Sequence, residues 1–132
     1  MTSVDTNIVI RLLIDDDPEQ VAAVRSLVAA GPIWIASTVL LETAWVLHSF
    51  YGMEQNVIRE ALAKLPATTN VHIENEASFM YSLKLMADGV DIADAMHLAG
   101  TPPGASFASF DRDFVRCATR AGVPHVFDLS RR

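Results

Sequence analysis

Residues 33–51 read IWIASTVLLETAWVLHSFY, and the change of pattern inside this stretch decides the fold class. Ile33–Ser37 is a short β-type run; from Thr38 to Tyr51 the apolar residues recur at helical spacing, with Ser37 placed to cap the helix. The same switch recurs to either side. β-type runs occur at Ser3–Asp5, Val71–Ile73, Phe107–Phe110 and Val126–Leu129, and helical stretches at Asn7–Ile14, Pro18–Ala30, Glu54–Lys64, Glu76–Asp88, Ile92–Ala99 and Arg112–Ala121. Pro18 suits a first helical turn, while Gly52, Gly89 and Gly122 suit helix ends. Alternating strands and helices predict an α/β fold with a mostly parallel sheet covered on both faces. Ligands of such sheets gather beyond the carboxyl ends of the strands.

The chain has 132 residues, of which 51% are hydrophobic, which suits one domain spanning residues 1–132 with a sizeable core. That apolar fraction is high enough to expect part of the surface to be covered by a partner or a second copy. The first residues, MTSVDTNIVIRLLIDDD, have no basic leader and do not read as a signal peptide. No apolar run approaches the ~18 residues that a membrane-crossing helix needs. The single cysteine, Cys117, is compatible with a reducing cytoplasm.

A net charge of −6 argues against nonspecific coating of nucleic acid. The average hides an asymmetry. Five of the ten basic residues, Arg112, Arg116, Arg120, Arg131 and Arg132, follow Phe110, and the first three are spaced to share one side of a helix. That side is either a solvated face or a local phosphate-facing patch.

The acids carry the chemistry. Asp5 and Asp111 stand where β-type runs give way to helices, a place where an aspartate also serves as an N-cap. Glu42 lies well inside its helix, with Val39, Trp45 and Val46 on neighbouring turns, so it reads as a carboxylate on an apolar stripe. In VDIADAMHLA, residues 90–99, Asp91 is a good N-cap and Asp94 sits at the N3 position between Ala93 and Ala95, whose small side chains leave room for a ligand. Asp113 falls in a first helical turn, where the dipole already favours it. A parallel sheet can bring Asp5, Glu42, Asp94 and Asp111 to one edge. Carboxylates ~5 Å apart repel by several kcal/mol when partly desolvated, so such a cluster needs cations or trapped protons. An all-oxygen set favours Mg²⁺ or Mn²⁺. Zinc is disfavoured, because His48, His72, His97 and His125 show no H-x-x-H or H-E-x-x-H spacing. No nucleophile elbow or glycine-rich phosphate loop occurs.

The succession VDTNIVIRLL, ASTVLLETAWVL, GVDIADAMHLA and SFDRDF resembles the PIN domain family, and within it the VapC-type toxins of toxin–antitoxin modules. The resemblance implies a three-layer α/β/α sandwich and a magnesium- or manganese-dependent endoribonuclease. On this reading Asp5, Glu42, Asp94 and Asp111 fall on the family's acidic positions as catalytic and metal-binding residues, with Asp5 and Asp94 the principal ligands. Thr6 and Ser109 fall beside them where a hydroxyl is common, and Asp91 and Asp113 match further acidic positions of the toxins. The resemblance also implies an RNA substrate, a cognate antitoxin and a homodimer. Arg112 and Arg116 are the candidates for holding the RNA backbone.

Other readings remain open. They are a housekeeping PIN nuclease, a noncatalytic PIN scaffold that binds RNA or protein, and a phosphotransfer fold with an aspartate nucleophile. The last is poorly served by Asp5-Thr6-Asn7, which offers no Asp-x-Asp pair.

Overall fold

A computed structural model describes residues 1–131; the side chain of Arg131 and all of Arg132 lie outside the described residues, so the basic pair at the end of the chain is not placed. Five strands alternate with seven helices among the described residues. In chain order these are β1 (Thr2–Ser3), α1 (Thr6–Leu13), α2 (Pro18–Ala30), β2 (Ile33–Ile35), α3 (Ser37–Ser49), α4 (Gln55–Ala63), β3 (Val71–Ile73), α5 (Glu76–Ala87), α6 (Ile92–Ala99), β4 (Phe107–Ser109), α7 (Arg112–Arg120) and β5 (Val126–Asp128). A 3₁₀ turn over Leu129–Arg131 follows.

All strand pairings are parallel. β1, β2 and β3 are hydrogen-bonded in that order, with Thr2 opposite Ile33 and Ile33 opposite Val71; β4 pairs with β5, Phe107 opposite Val126. Together with the covering helices this is the three-layer α/β/α arrangement expected from the sequence. The run Val71–Ile73 coincides with β3, whereas the runs ending at Asp5, Ser37, Phe110 and Leu129 extend past their strands into residues that lead into, cap or start the following helix or 3₁₀ turn.

Ile33 and Ile35 are fully buried, as are Leu40, Leu47, Leu62 and Leu85 from the helices packed around them. Removing such side chains from water is what drives the layers together, at ~25 cal/mol per Å² of apolar surface. β3 is more one-sided: Val71 and Ile73 are buried while His72 between them is exposed, as fits a strand with only one hydrogen-bonded neighbour.

Local chemistry explains most helix ends. Asp17 accepts the N–H of Gln20 and Pro18 opens α2. Helices α5 and α7 stop at Gly89 and Gly122, both at positive φ, where Val90 and Val123 donate back to Leu85 and Ala118 in a Schellman pattern. The start of α3 is different. Ser37 does not cap it; Ala36 is the N-cap, and the Ser37 N–H donates instead to Glu74 Oε1 at 2.8 Å, from just beyond β3.

Candidate active site

The strand ends place acids. Asp5 follows β1, Glu74 follows β3, Asp111 follows β4, and Asp128 closes β5. Asp5 accepts the N–H of Ile8 at 3.3 Å, and Asp111 accepts the N–H of Phe114 at 3.0 Å, so each is the N-cap of the helix it precedes. Capping occupies one carboxylate oxygen and leaves the other for a further partner. Capping and ligand binding are therefore compatible at these positions.

Thr6, the first residue of α1, is buried, and its hydroxyl donates to Glu42 Oε1 on α3. This contact ties Glu42 to the residue beside Asp5. The expectation that Glu42 lies on an apolar stripe needs correction. The buried side of α3 carries Leu40, Thr43, Ala44 and Leu47, whereas Glu42 is exposed and Trp45 is 65% exposed. Thr43 turns its hydroxyl back to the Val39 carbonyl, which lets a polar residue sit on the buried side.

Helix α6 begins as expected: Asp91 is its N-cap and accepts the Ala93 N–H at 3.2 Å. Asp94, one turn further, is half-buried. Its carboxyl is pushed above the ordinary carboxylate range, chiefly by burial and next by the charge of Asp91; His97 opposes the shift, and Asp111 adds to it. The charge of Asp111 thus acts on Asp94 although the two come from different helices. Ala95 behind Asp94 is fully buried, anchoring this turn of α6 against the core.

The outer positions are also placed. Ser109 Oγ accepts the Asp111 N–H at 3.0 Å, bracing the turn that presents this acid. Asp113 is exposed and pairs with Arg116 at 3.7 Å; Arg112 lies 3.6 Å from Asp128. The structure therefore makes two acid groupings, Thr6–Glu42 beside Asp5, and Asp94 with Asp91 and Asp111. Helix α3 packs against both α1 and α6, which carry these groupings. Among the described residues, no three histidine, cysteine, aspartate or glutamate side chains stand close enough together to hold a metal ion.

The sequence reading missed Glu74 and Asp128. Both show the signal used for Asp5 and Asp111, an acid at the end of a short apolar run. Glu74 serves α3, and Asp128 faces Arg112.

The chain belongs to the PIN domain family, whose model matches residues 3–119 and so takes in Asp5, Glu42, Asp94 and Asp111. PIN domains have a nuclease fold and are generally metal-dependent, using Mg²⁺ or Mn²⁺. No curated protein matches the chain. No helix among the described residues is long and apolar enough to cross a membrane.

Proposed function

We propose that this PIN domain is an endoribonuclease whose metal is taken between two acid groupings that close on the ion as it binds, Asp5 with Glu42 and Asp94 with Asp111, with Asp5 and Asp94 as principal ligands. The observation that carries this reading is Asp94: a half-buried carboxyl on a buried helical turn, disfavoured as an anion by burial and by the charges of Asp91 and Asp111. A divalent cation relieves that cost, and an oxygen-only donor set suits Mg²⁺ or Mn²⁺. A bound ion of this kind lowers the pKa of water and offsets charge developing on phosphoryl oxygens. The chain's own part is to fix the acids. Ile8, Phe114 and Ala93 N–H groups hold the carboxylates of Asp5, Asp111 and Asp91, and the Thr6 hydroxyl holds Glu42. Arg112 and Arg116 next to Asp111 supply positive charge for the RNA backbone.

The toxin role is supported by the order of the four acidic motifs and their resemblance to VapC-type toxins. An antitoxin partner and a homodimer are consistent with the exposed Trp45, Phe50 and Val57, which form apolar surface on and around α3 and α4.

The test is cleavage of a structured RNA by the purified chain with Mg²⁺ or Mn²⁺. The expected result is cleavage that stops on adding EDTA and falls by at least ~100-fold in Asp94→Asn, since even residues that only support metal ligands are worth 10- to 100-fold. Cleavage that survives EDTA, or persists unchanged in Asp94→Asn, would refute the metal mechanism.

A further inference from the structure

One aromatic ring stands in water directly beside the acids. Phe110 is the first residue after β4, it is 72% exposed, and its neighbour in the chain is Asp111 of the proposed metal set. Phe107 and Phe114, on either side of it in sequence, pack against the core and meet each other with ring centroids 5.5 Å apart. Among the described residues Phe110 makes no such ring contact.

The backbone that carries this ring is fixed on both sides. Ser109 is held in the β4–β5 ladder opposite Asp128, its Oγ accepts the Asp111 N–H at 3.0 Å, and Asp111 in turn accepts the Phe114 N–H at 3.0 Å. Ring and carboxylate are thus presented together by one braced turn, and little order is left to impose when a ligand arrives. The residues around the ring in sequence are polar: Ser109 before it, then Asp111, Arg112 and Asp113, all three exposed. A stable protein interface takes about 800 Å² from each partner, which one phenyl among charged residues does not offer, whereas a nucleobase needs the face of a single ring. Trp45 and Phe50 differ in this respect, because they belong with Val57 to the wider apolar surface of α3 and α4. Asp111 narrows the choice further. A phosphate drawn to cations at the acids brings its own base within reach of a ring whose Cα is about 3.8 Å from that of Asp111.

We propose that Phe110 is a base-stacking residue, which takes the base of the RNA nucleotide beside the phosphate that is held at the acids. The inference rests on the ribonuclease reading for its choice of RNA and for the place of that phosphate. Offset stacking needs a free face on the base, so this nucleotide must be unpaired and unstacked from its neighbour. Every base has such a face, so the ring selects for an accessible base rather than for one sequence.

The test is fluorescence anisotropy of a labelled octaadenylate, and of an octamer of abasic ribose phosphates, with the full chain in EDTA at low salt. The wild-type chain binds the octaadenylate at least ~5-fold more tightly than the abasic strand. Phe110→Leu weakens the octaadenylate by at least ~5-fold and leaves the abasic strand unaffected, while Phe110→Trp keeps the wild-type affinity for both. The ring is exposed, so thermal melts of the three proteins coincide and exclude a loss of fold. Equal binding of octaadenylate by the wild type and Phe110→Leu overturns the proposal, as does equal weakening of both strands. So does a Phe110→Leu chain that binds RNA unchanged but no longer self-associates, which would make the occupant of the ring a second copy. Because binding is read without metal, the two readings fail separately. A ring-dependent preference for bases without cleavage in any divalent ion removes the nuclease and keeps the stacking residue, whereas metal-dependent cleavage with Phe110→Leu binding like the wild type does the reverse.

Discussion

Helices α6 and α7 are each opened by an aspartate that accepts a first-turn N–H, and each contributes an acid to the candidate metal set. Beyond that first turn they diverge. α6 buries Ile92, Ala95 and Leu98, so its remaining acid, Asp94, is carried on a turn fixed to the core. α7 buries Ala118 alone among its residues and turns three arginines outward. In the proposed site the two helices would divide the labour: a buried helix holds a charge in a costly place, and an exposed helix offers charge to what comes from solvent. The cost at Asp94 follows from burial, since the charged form loses hydration that its neighbours do not replace.

Neutralising the acids while keeping the caps separates the two jobs. Asn caps as well as Asp, so Asp111→Asn keeps α7 and removes only the charge. Its expected effect is a ~10- to 100-fold fall in metal-dependent cleavage with no change in melting temperature. Unchanged cleavage by Asp111→Asn would mean that Asp111 is a cap and nothing more. Asp91→Ala is the converse. It removes a cap, costs about 1 kcal/mol and lowers Tm by ~4 °C, with cleavage by the folded protein largely retained; a thermal melt and an assay well below Tm read both.

The smallest effect is one of pH. The folded pKa of Asp94 is raised, so its contribution to stability is complete below the ordinary value of 3.8 and is lost as pH rises through the folded pKa. Asp94→Asn carries no charge to bury. Without metal, that variant should melt above the wild type at neutral pH, and the gap should close as pH falls below 3.8. A gap independent of pH would place the burial cost elsewhere.

Some of this was legible in the sequence because it is decided locally. The starts of α2 and α6 follow to the residue from Pro18 and from Asp91, whose signals lie within the first turn they serve. The start of α3 was not legible. Ser37 has the right side chain for a cap, yet its N–H is taken by Glu74, 37 positions away, and no local pattern reports a contact made only when β2 and β3 pair. Glu42 shows the same limit. Its neighbours Val39, Trp45 and Val46 look like a core stripe, but α3 turns Leu40, Ala44 and Leu47 inward and leaves Trp45 outside. An apolar helix permits more than one buried face, and the layer beneath chooses between them.

The acid set was legible as residue types at strand ends and helix starts, whereas its grouping was not. The hydroxyl of Thr6 on Glu42 and the effect of Asp111 on Asp94 depend on how α1, α3, α6 and α7 come together.

The central claim is that these acids hold a divalent cation, and Mn²⁺ binding followed by electron paramagnetic resonance tests it without reference to any substrate. The expected result is saturable binding of Mn²⁺ by the wild-type chain, competition by Mg²⁺, and loss of binding in Asp94→Asn with the fold intact. Undiminished Mn²⁺ binding by Asp94→Asn would contradict it.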